Sequence, residues 1–150
     1  LSESDYRKLV KQAGREKTIC HHNFNHHSIV CSRNQLYLTN FDQCCYELRM
    51  YDVAALVRSI IKRCEKPGCG CVREAVEAYR TVGEISGDEA KVILAMLYFP
   101  HKFWRTANRY YNGKCSWAGR NYDERLREAV DEERVRKEFM ERFGSCIFQS

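Results

Sequence analysis

Side chains that can bind metals, transfer protons or hold backbone groups are concentrated between residues 20 and 42. Most of them crowd one short segment, namely His21, His22, Asn23, Asn25, His26, His27 and Ser28. Asn40 and Asp42 follow a little further along the chain. Imidazole and carboxylate groups transfer protons, and together with amide and hydroxyl oxygens they can bind metals, so this region is the candidate functional site.

Two short strands separate these two groups of polar residues. Ile29-Val30 and Leu36-Tyr37-Leu38 are the β-branched, aromatic and aliphatic runs typical of hairpin strands, and residues 32–35 form the expected tight turn. The hairpin would carry polar groups at one end, as a rigid scaffold does in many binding sites.

The rest of the chain is predicted to be helical. A capped first helix should end over Gly14 and the charged residues 15–17, and residues 43–48 are expected to be an irregular connection. A strongly apolar helix from residue 49 to Ile61 should form the buried centre, with a break at residues 66–68. Further helices are expected at 72–79, 86–97 (with a capping box at 86–89), 103–112 (closed by Asn112-Gly113) and 121–144. The predicted fold class is mainly α with a small β-hairpin.

Composition excludes several classes of protein. A hydrophobic fraction of 44% with 30% charged residues is typical of one soluble domain. The net charge of +5 is spread among interleaved acidic and basic residues, which argues against nucleic-acid binding. We see neither an apolar run of membrane-span length nor a signal peptide, so no membrane association is expected.

The nine cysteines favour a reduced, intracellular setting, because their number is odd and their spacing irregular. A metal-binding module, using either the histidines of residues 21–27 or the cysteines of residues 64–71, stays open as an alternative.

The segments Cys20-His21-His22-Asn23-Phe24-Asn25-His26-His27-Ser28 and Thr39-Asn40-Phe41-Asp42 resemble the catalytic region of aminoglycoside and choline phosphotransferases, which have the protein-kinase-like fold. By this resemblance Asn23 occupies the catalytic-base position, Ser28 that of the loop asparagine and Asn40 that of the metal-binding aspartate. His21 is implied to buttress the loop. Asp52 has two interpretations: an acid that complements the helix dipole, or, as the resemblance implies, an anchor for the loop backbone.

Asn23, Ser28 and Asn40 each differ from the residue that the family usually has at that position, and these differences matter for the chemistry. Phosphoryl transfer needs a carboxylate to accept the hydroxyl proton and an anionic shell for Mg²⁺. Asn23 cannot accept a proton, Asn40 offers a neutral oxygen, and Ser28 would reach a metal only through water. Asp42 remains as a possible ligand.

A longer pattern in the second half resembles the CotS-type spore-coat kinase-like family. It comprises Ala78-Tyr79, then Leu97-Tyr98-Phe99-Pro100-His101-Lys102-Phe103-Trp104-Arg105-x-Ala107-Asn108-x-Tyr110-Tyr111-Asn112, then Ser116-Trp117. Energetically, Phe103, Trp104, Tyr110 and Tyr111 are expected to be core aromatics. The resemblance implies that residues 1–150 are a single C-terminal, helical lobe of the kinase-like fold, cut from a longer protein and lacking the N-terminal lobe. It also implies a location in the spore coat or the mother-cell cytoplasm.

Three functions follow as hypotheses. The first is a pseudokinase-type coat protein with a structural or scaffolding role, binding no cofactor in this fragment. The second is a weakly active phosphotransferase that uses ATP and Mg²⁺ through Asn40 and Asp42 on a hydroxylated or amino substrate. The third is the metal-binding module. Expected partners are the missing N-terminal lobe, another coat protein, or a second copy bound through an exposed apolar surface near the hairpin.

Overall fold

The computed structural model describes residues 2–63, 70–112 and 120–148, apart from the side chains of 120, 121 and 142–148. In chain order the elements are α1 (Glu3–Glu16), β1 (Ile19–Cys20), β2 (Ile29–Ser32), β3 (Gln35–Leu38), β4 (Cys45–Tyr46), α2 (Met50–Arg63), α3 (Cys71–Arg80), α4 (Gly87–Tyr98), α5 (His101–Asn112) and α6 (Arg120–Phe148). Short 3-10 turns span His26–Ser28 and Phe41–Gln43. This content confirms the predicted fold class, mainly α with a small hairpin.

Helix α2 lies at the centre of the core. It packs against α3, α4 and α6, and its buried face consists of Met50, Val53, Ala54, Val57 and Ile61. This arrangement confirms the predicted buried central helix. Because α2 is fixed on three sides, its first turn is a rigid support for any loop that binds there.

Arg49 ties the start of α2 to the start of α4. Its Nε donates to Glu89 Oε1 at 3.0 Å, and one of its terminal nitrogens donates to the Glu84 carbonyl at 2.6 Å. Glu89 also completes the capping box of α4, since its carboxylate accepts from the Ser86 backbone N–H at 2.9 Å. The predicted capping box is therefore present, and the same glutamate links the start of α4 to the start of α2.

Two predicted boundaries were wrong. Residues 43–48 contain β4, which pairs with β1 in a second antiparallel sheet; strands of two residues are too short to show an alternating pattern. Helix α6 continues through Gly144 to Phe148, because a single glycine costs a helix only about 1 kcal/mol and no proline follows. Helix α1 ends at Glu16, within the predicted residues 14–17, and the following Lys17 adopts a left-handed conformation. The predicted break at residues 66–68 and the expected closing glycine, Gly113, lie outside the described residues.

Helix α5 contradicts the expectation of a core aromatic cluster. The exposed fractions of Phe103, Trp104, Tyr110 and Tyr111 are 43%, 52%, 46% and 81%. The helix meets α6 partly through salt bridges made by Lys102, and it contributes no fully buried residue. The aromatic side chains of α5 are therefore largely a surface feature.

Candidate functional site

The hairpin closes at the base of the polar loop. Strands β2 and β3 pair in register, and Arg33 and Asn34 form the turn between them with φ angles of 47° and 63°. Two left-handed residues are what a two-residue hairpin turn of this twist requires. At the open end, the backbone N–H of Thr39 donates to the Ser28 carbonyl at 2.9 Å. The hairpin thereby joins the end of the loop to the segment that carries Asn40 and Asp42.

Asp52, in the first turn of α2, holds the loop backbone. Its two carboxylate oxygens accept hydrogen bonds from the backbone N–H groups of His21 and His22, at 2.7 Å and 2.9 Å. His22 adopts a left-handed φ of 61°, which is costly for a residue other than glycine. Its ring lies 5.5 Å from that of Tyr51. A single carboxylate thus fixes a strained turn of the loop onto the central helix of the domain.

His21 connects the loop to the segment after the hairpin. The side chain is buried, and its Nε2 lies 2.8 Å from the Thr39 carbonyl. Its Nδ1 accepts from the Asn23 backbone N–H at 3.3 Å, so the neutral tautomer with the proton on Nε2 satisfies both contacts. The ring also packs 5.0 Å from that of Phe41. These contacts place His21 as an internal brace of the loop.

The side chain of Asn23, the residue that the resemblance places at the catalytic-base position, is hydrogen-bonded to a neighbouring amide. Asn25 Nδ2 donates to Asn23 Oδ1 at 3.0 Å and to the Asn23 carbonyl at 2.9 Å. The Asn25 side-chain oxygen in turn accepts from the His27 backbone N–H at 2.8 Å. The segment from residue 20 to residue 28 contains no carboxylate. The exposed surface of the loop is therefore built from amides and imidazoles.

The Ser28 hydroxyl is directed at the loop backbone, so it is not oriented as a metal ligand. It is fully buried, and its hydroxyl donates to the Asn23 carbonyl at 2.8 Å. Asn40 and Asp42 have exposed side chains beside the 3-10 turn at Phe41–Gln43, and Asn40 enters that turn with a left-handed φ of 66°. The structure thus joins the predicted residues His21, Asn23, Ser28 and Asp52 in one hydrogen-bond network. It leaves Asn40 and Asp42 on the adjoining surface.

The histidine-rich segment is also a candidate metal site. Within residues 2–63, 70–112 and 120–148, no three side chains of His, Cys, Asp or Glu are grouped as metal ligands. The pKa of His26 is lowered by partial burial and by the positive charges of Arg63, His27 and Lys62. Those charges also repel a metal cation. Most of the cysteine cluster at residues 64–71 lies outside the described residues.

Sequence reasoning missed two residues that support the loop. The Thr39 carbonyl accepts a hydrogen bond from the His21 ring, and the Thr39 backbone N–H donates to the Ser28 carbonyl. Cys20 is completely buried and its thiol donates to the Glu47 carbonyl at 3.2 Å; burial, followed by the negative charge of Asp52, raises its pKa to about 12. The available sequence signal was their position, since Cys20 directly precedes His21 and Thr39 directly precedes Asn40.

The fold and the loop together define a mainly helical, kinase-like domain. The chain belongs to the family described as "spore coat putative kinase YutH", whose family model matches residues 3–143. This match confirms the spore-coat, kinase-like part of the sequence-based resemblance. Comparison with curated proteins and comparison with solved structures found no match. Among the described residues, no helix combines the length and apolar character needed to cross a membrane.

Proposed function

We propose that this protein is a pseudokinase-type component of the spore coat, or of the mother cell that builds it, with a structural or scaffolding role. In this proposal residues 1–150 are the helical C-terminal lobe of a kinase-like protein. The observation that carries it is the pair of amides, Asn23 and Asn40, at positions where phosphotransferases of this fold use carboxylates.

The chemistry of these amides supports the loss of phosphotransferase activity. The Asn23 side chain accepts a hydrogen bond from Asn25 and has no basic lone pair for a substrate proton. Loss of a general base alone costs roughly 10²–10⁴-fold in rate. Asn40 offers Mg²⁺ a neutral oxygen, and the buried Ser28 hydroxyl is directed at the backbone. None of the three positions supplies the negative charge that a magnesium–nucleotide complex requires.

The surface around the hairpin supports a binding role. Large apolar side chains from both small sheets and the adjoining turn are exposed: Ile19, Val30, Leu36, Tyr37, Leu38, Phe41 and Tyr46. Large apolar side chains left exposed on neighbouring strands and turns are a feature of interaction surfaces. Asp52 and His21 hold the loop and Thr39 at the base of the hairpin, and this anchors the hairpin surface to the domain. Its partner in the proposal is another coat protein, an N-terminal lobe, or a second copy.

A second candidate function rests on Asp42. Its carboxylate is exposed beside Asn40, so it is accessible to a divalent cation, and the cation in turn could bind the phosphates of ATP. In this alternative the protein is a weak phosphotransferase for a hydroxylated or amino substrate. It predicts that activity depends on Asp42, which the scaffold proposal does not.

Replacement of the gene in its spore-forming host tests the scaffold proposal. An Asn23→Ala, Asn40→Ala variant should enter the isolated coat in wild-type amount, because neither amide is needed for binding. A Leu36→Asp, Tyr37→Asp variant should be lost from the coat, since it places charge on the hairpin surface. Val82→Asp is the matched control, because Val82 is 85% exposed and follows α3, away from the hairpin strands.

Circular dichroism of each purified variant verifies folding. Loss of the Asn23→Ala, Asn40→Ala protein from the coat, with its fold intact, would contradict the scaffold proposal. Normal incorporation of the hairpin variant would remove the hairpin surface from it.

A further inference from the structure

Two cysteines face each other across the small sheet formed by β1 and β4. The strands are antiparallel, and Cys20 is the direct register partner of Cys45. Such partners carry their side chains on the same face of the sheet, with Cα atoms about 4.5–5.5 Å apart. A disulfide joins residues whose Cα atoms are about 4.4–6.8 Å apart. The register of this sheet therefore places two thiols at a separation that a disulfide can span.

The two thiols differ in their access to solvent. Cys20 is completely buried, whereas Cys45 is exposed, and both are free. Burial, followed by the negative charge of Asp52 and then by the nearby Cys45, raises the pKa of the Cys20 thiol to about 12. A buried thiol of this kind is inert toward an external oxidant, because the thiolate is the reactive form. Cys45 is therefore the thiol of this pair that an oxidant meets first.

The position of the pair connects it to the loop. Cys20 directly precedes His21, whose backbone N–H is held by Asp52. On the other strand, Cys45 belongs to the short segment that leads into α2. A bond between the two sulfurs would fasten the beginning of the loop to this segment, in addition to the hydrogen bonds of the sheet.

We propose that Cys20 and Cys45 are the site of a reversible disulfide, formed by exchange with a low-molecular-weight disulfide, that restrains the beginning of the loop. In the first step the Cys45 thiolate attacks one sulfur of the small disulfide. A mixed disulfide forms, the small disulfide bond breaks, and the released thiolate takes up the proton that Cys45 gave up. This inference does not depend on whether the protein retains phosphotransferase activity.

In the second step Cys20 loses its proton and attacks the Cys45 sulfur. The bond between the two cysteines forms, the bond to the small molecule breaks, and the second small thiol leaves with that proton. Two cysteine thiols are thereby oxidised and one small disulfide is reduced to two thiols. An excess of the small thiol drives the same exchange backwards and restores both cysteines.

Proximity compensates for the high pKa of Cys20 in this second step. With a pKa of about 12, roughly one such thiol in 10⁵ is ionised at pH 7. Well-oriented intramolecular reactions have effective molarities of about 10⁵–10⁸ M, which offsets so small a thiolate fraction. The register of the two strands supplies this orientation, since the mixed disulfide on Cys45 lies directly opposite Cys20.

Incubation of the full chain with oxidised glutathione, followed by trypsin digestion and mass spectrometry without reduction, tests the site. Trypsin cleaves after Lys17, Arg33 and Arg49, so the crosslink should join peptide 18–33 to peptide 34–49. Reduced glutathione in excess should separate them again. Each peptide contains two cysteines, so variants must identify the pair that is joined.

The four cysteines of these peptides provide matched variants. The joined peptides should persist in a Cys31→Ser, Cys44→Ser variant, which keeps only the proposed pair. They should be absent from Cys45→Ser, whose fold circular dichroism verifies and whose changed residue is exposed. Cys31 is the matched control for Cys45, because it is also an exposed strand cysteine, but its register partner is Leu36. Absence of joined peptides from the wild-type protein, or their persistence in Cys45→Ser, would overturn the site.

Hydrogen exchange reports on the loop. In the Cys31→Ser, Cys44→Ser protein, oxidation should slow exchange of the His21 and His22 backbone amides by at least about tenfold, because the crosslink removes conformational freedom from the opened loop. The same treatment of Cys45→Ser should leave these rates unchanged. A crosslink that forms without slower exchange at His21 and His22 would overturn the restraint on the loop.

Discussion

Replacement of Asp52 by asparagine tests how the loop is held. The Asp52 carboxylate accepts the backbone N–H groups of His21 and His22 at 2.7 Å and 2.9 Å from a half-buried position. The asparagine side chain would keep one acceptor oxygen, but its amide NH₂ would face a backbone N–H donor. One charge-assisted hydrogen bond is lost and the other is weakened, while the side-chain shape is conserved.

The expected loss of stability follows from these two contacts. A hydrogen bond to a charged group contributes about 1.5–3 kcal/mol, so Asp52→Asn should lower the free energy of unfolding by about 2–4 kcal/mol. If Asp52 acted only on the helix dipole, the loss would be about 0.3–1 kcal/mol. The two interpretations of this residue therefore differ by a measurable amount.

Urea unfolding followed by circular dichroism measures the difference. Asp42→Asn is the matched control, because it is the same change at an exposed carboxylate and should cost less than about 0.5 kcal/mol. Hydrogen exchange of the His21 and His22 amides should become faster in Asp52→Asn only. Equal stabilities of the two variants, with unchanged exchange, would refute the loop-anchor interpretation.

Three further predictions concern other parts of the chain. Because the pKa of the Cys20 thiol is raised from 9.0 to about 12, the free energy of unfolding should fall as the pH rises from 9 to 12. In urea titrations Cys20→Ala should flatten this pH dependence, and an unchanged pH dependence would contradict the burial of the thiol. Trp104→Ala should cost less than about 1 kcal/mol in urea unfolding, since the ring is 52% exposed, and a loss of 3–5 kcal/mol would show that it is a core residue. Although burial raises the pKa of Glu132, hydrogen bonds from Lys102 and Lys62 outweigh it and lower the pKa, so Glu132 stabilises the fold above about pH 4.5 and this contribution is lost as the pH falls. Glu132→Gln should therefore show a smaller loss of stability on acidification, and an identical acid limb would contradict the pairing.

Local patterns were sufficient to predict the hairpin and the central helix. The β-branched, aromatic and aliphatic runs on either side of the turn at residues 32–35 predicted β2 and β3, and the apolar residues on most sides of α2 predicted that this helix is surrounded. The capping box at Ser86 and Glu89 likewise depends on neighbouring residues alone. These are short-range signals, and they were read correctly.

Two kinds of feature were harder to predict: contacts between residues far apart in the chain, and whether another element covers a given side chain or helix face. The bond from Asp52 to His21 spans more than thirty residues, so only the family resemblance suggested it. Nothing in the sequence showed that the Ser28 hydroxyl is buried against the backbone. The aromatic face of α5 was read as core because amphipathic spacing identifies an apolar face without revealing whether another element covers it.

In the proposed function, Asn23 and Asn40 stand where phosphoryl transfer needs carboxylates. Calorimetric titration with ATP and Mg²⁺, together with an assay for γ-phosphate release, tests this difference on the full-length, two-lobed parent that the proposal assumes and on its Asn23→Asp, Asn40→Asp variant. We predict no magnesium-dependent nucleotide binding or phosphate release by the wild-type protein, and magnesium-dependent binding gained by the variant. Magnesium-dependent phosphate release by the unmodified protein, abolished by Asp42→Asn, would contradict the account and establish the phosphotransferase alternative.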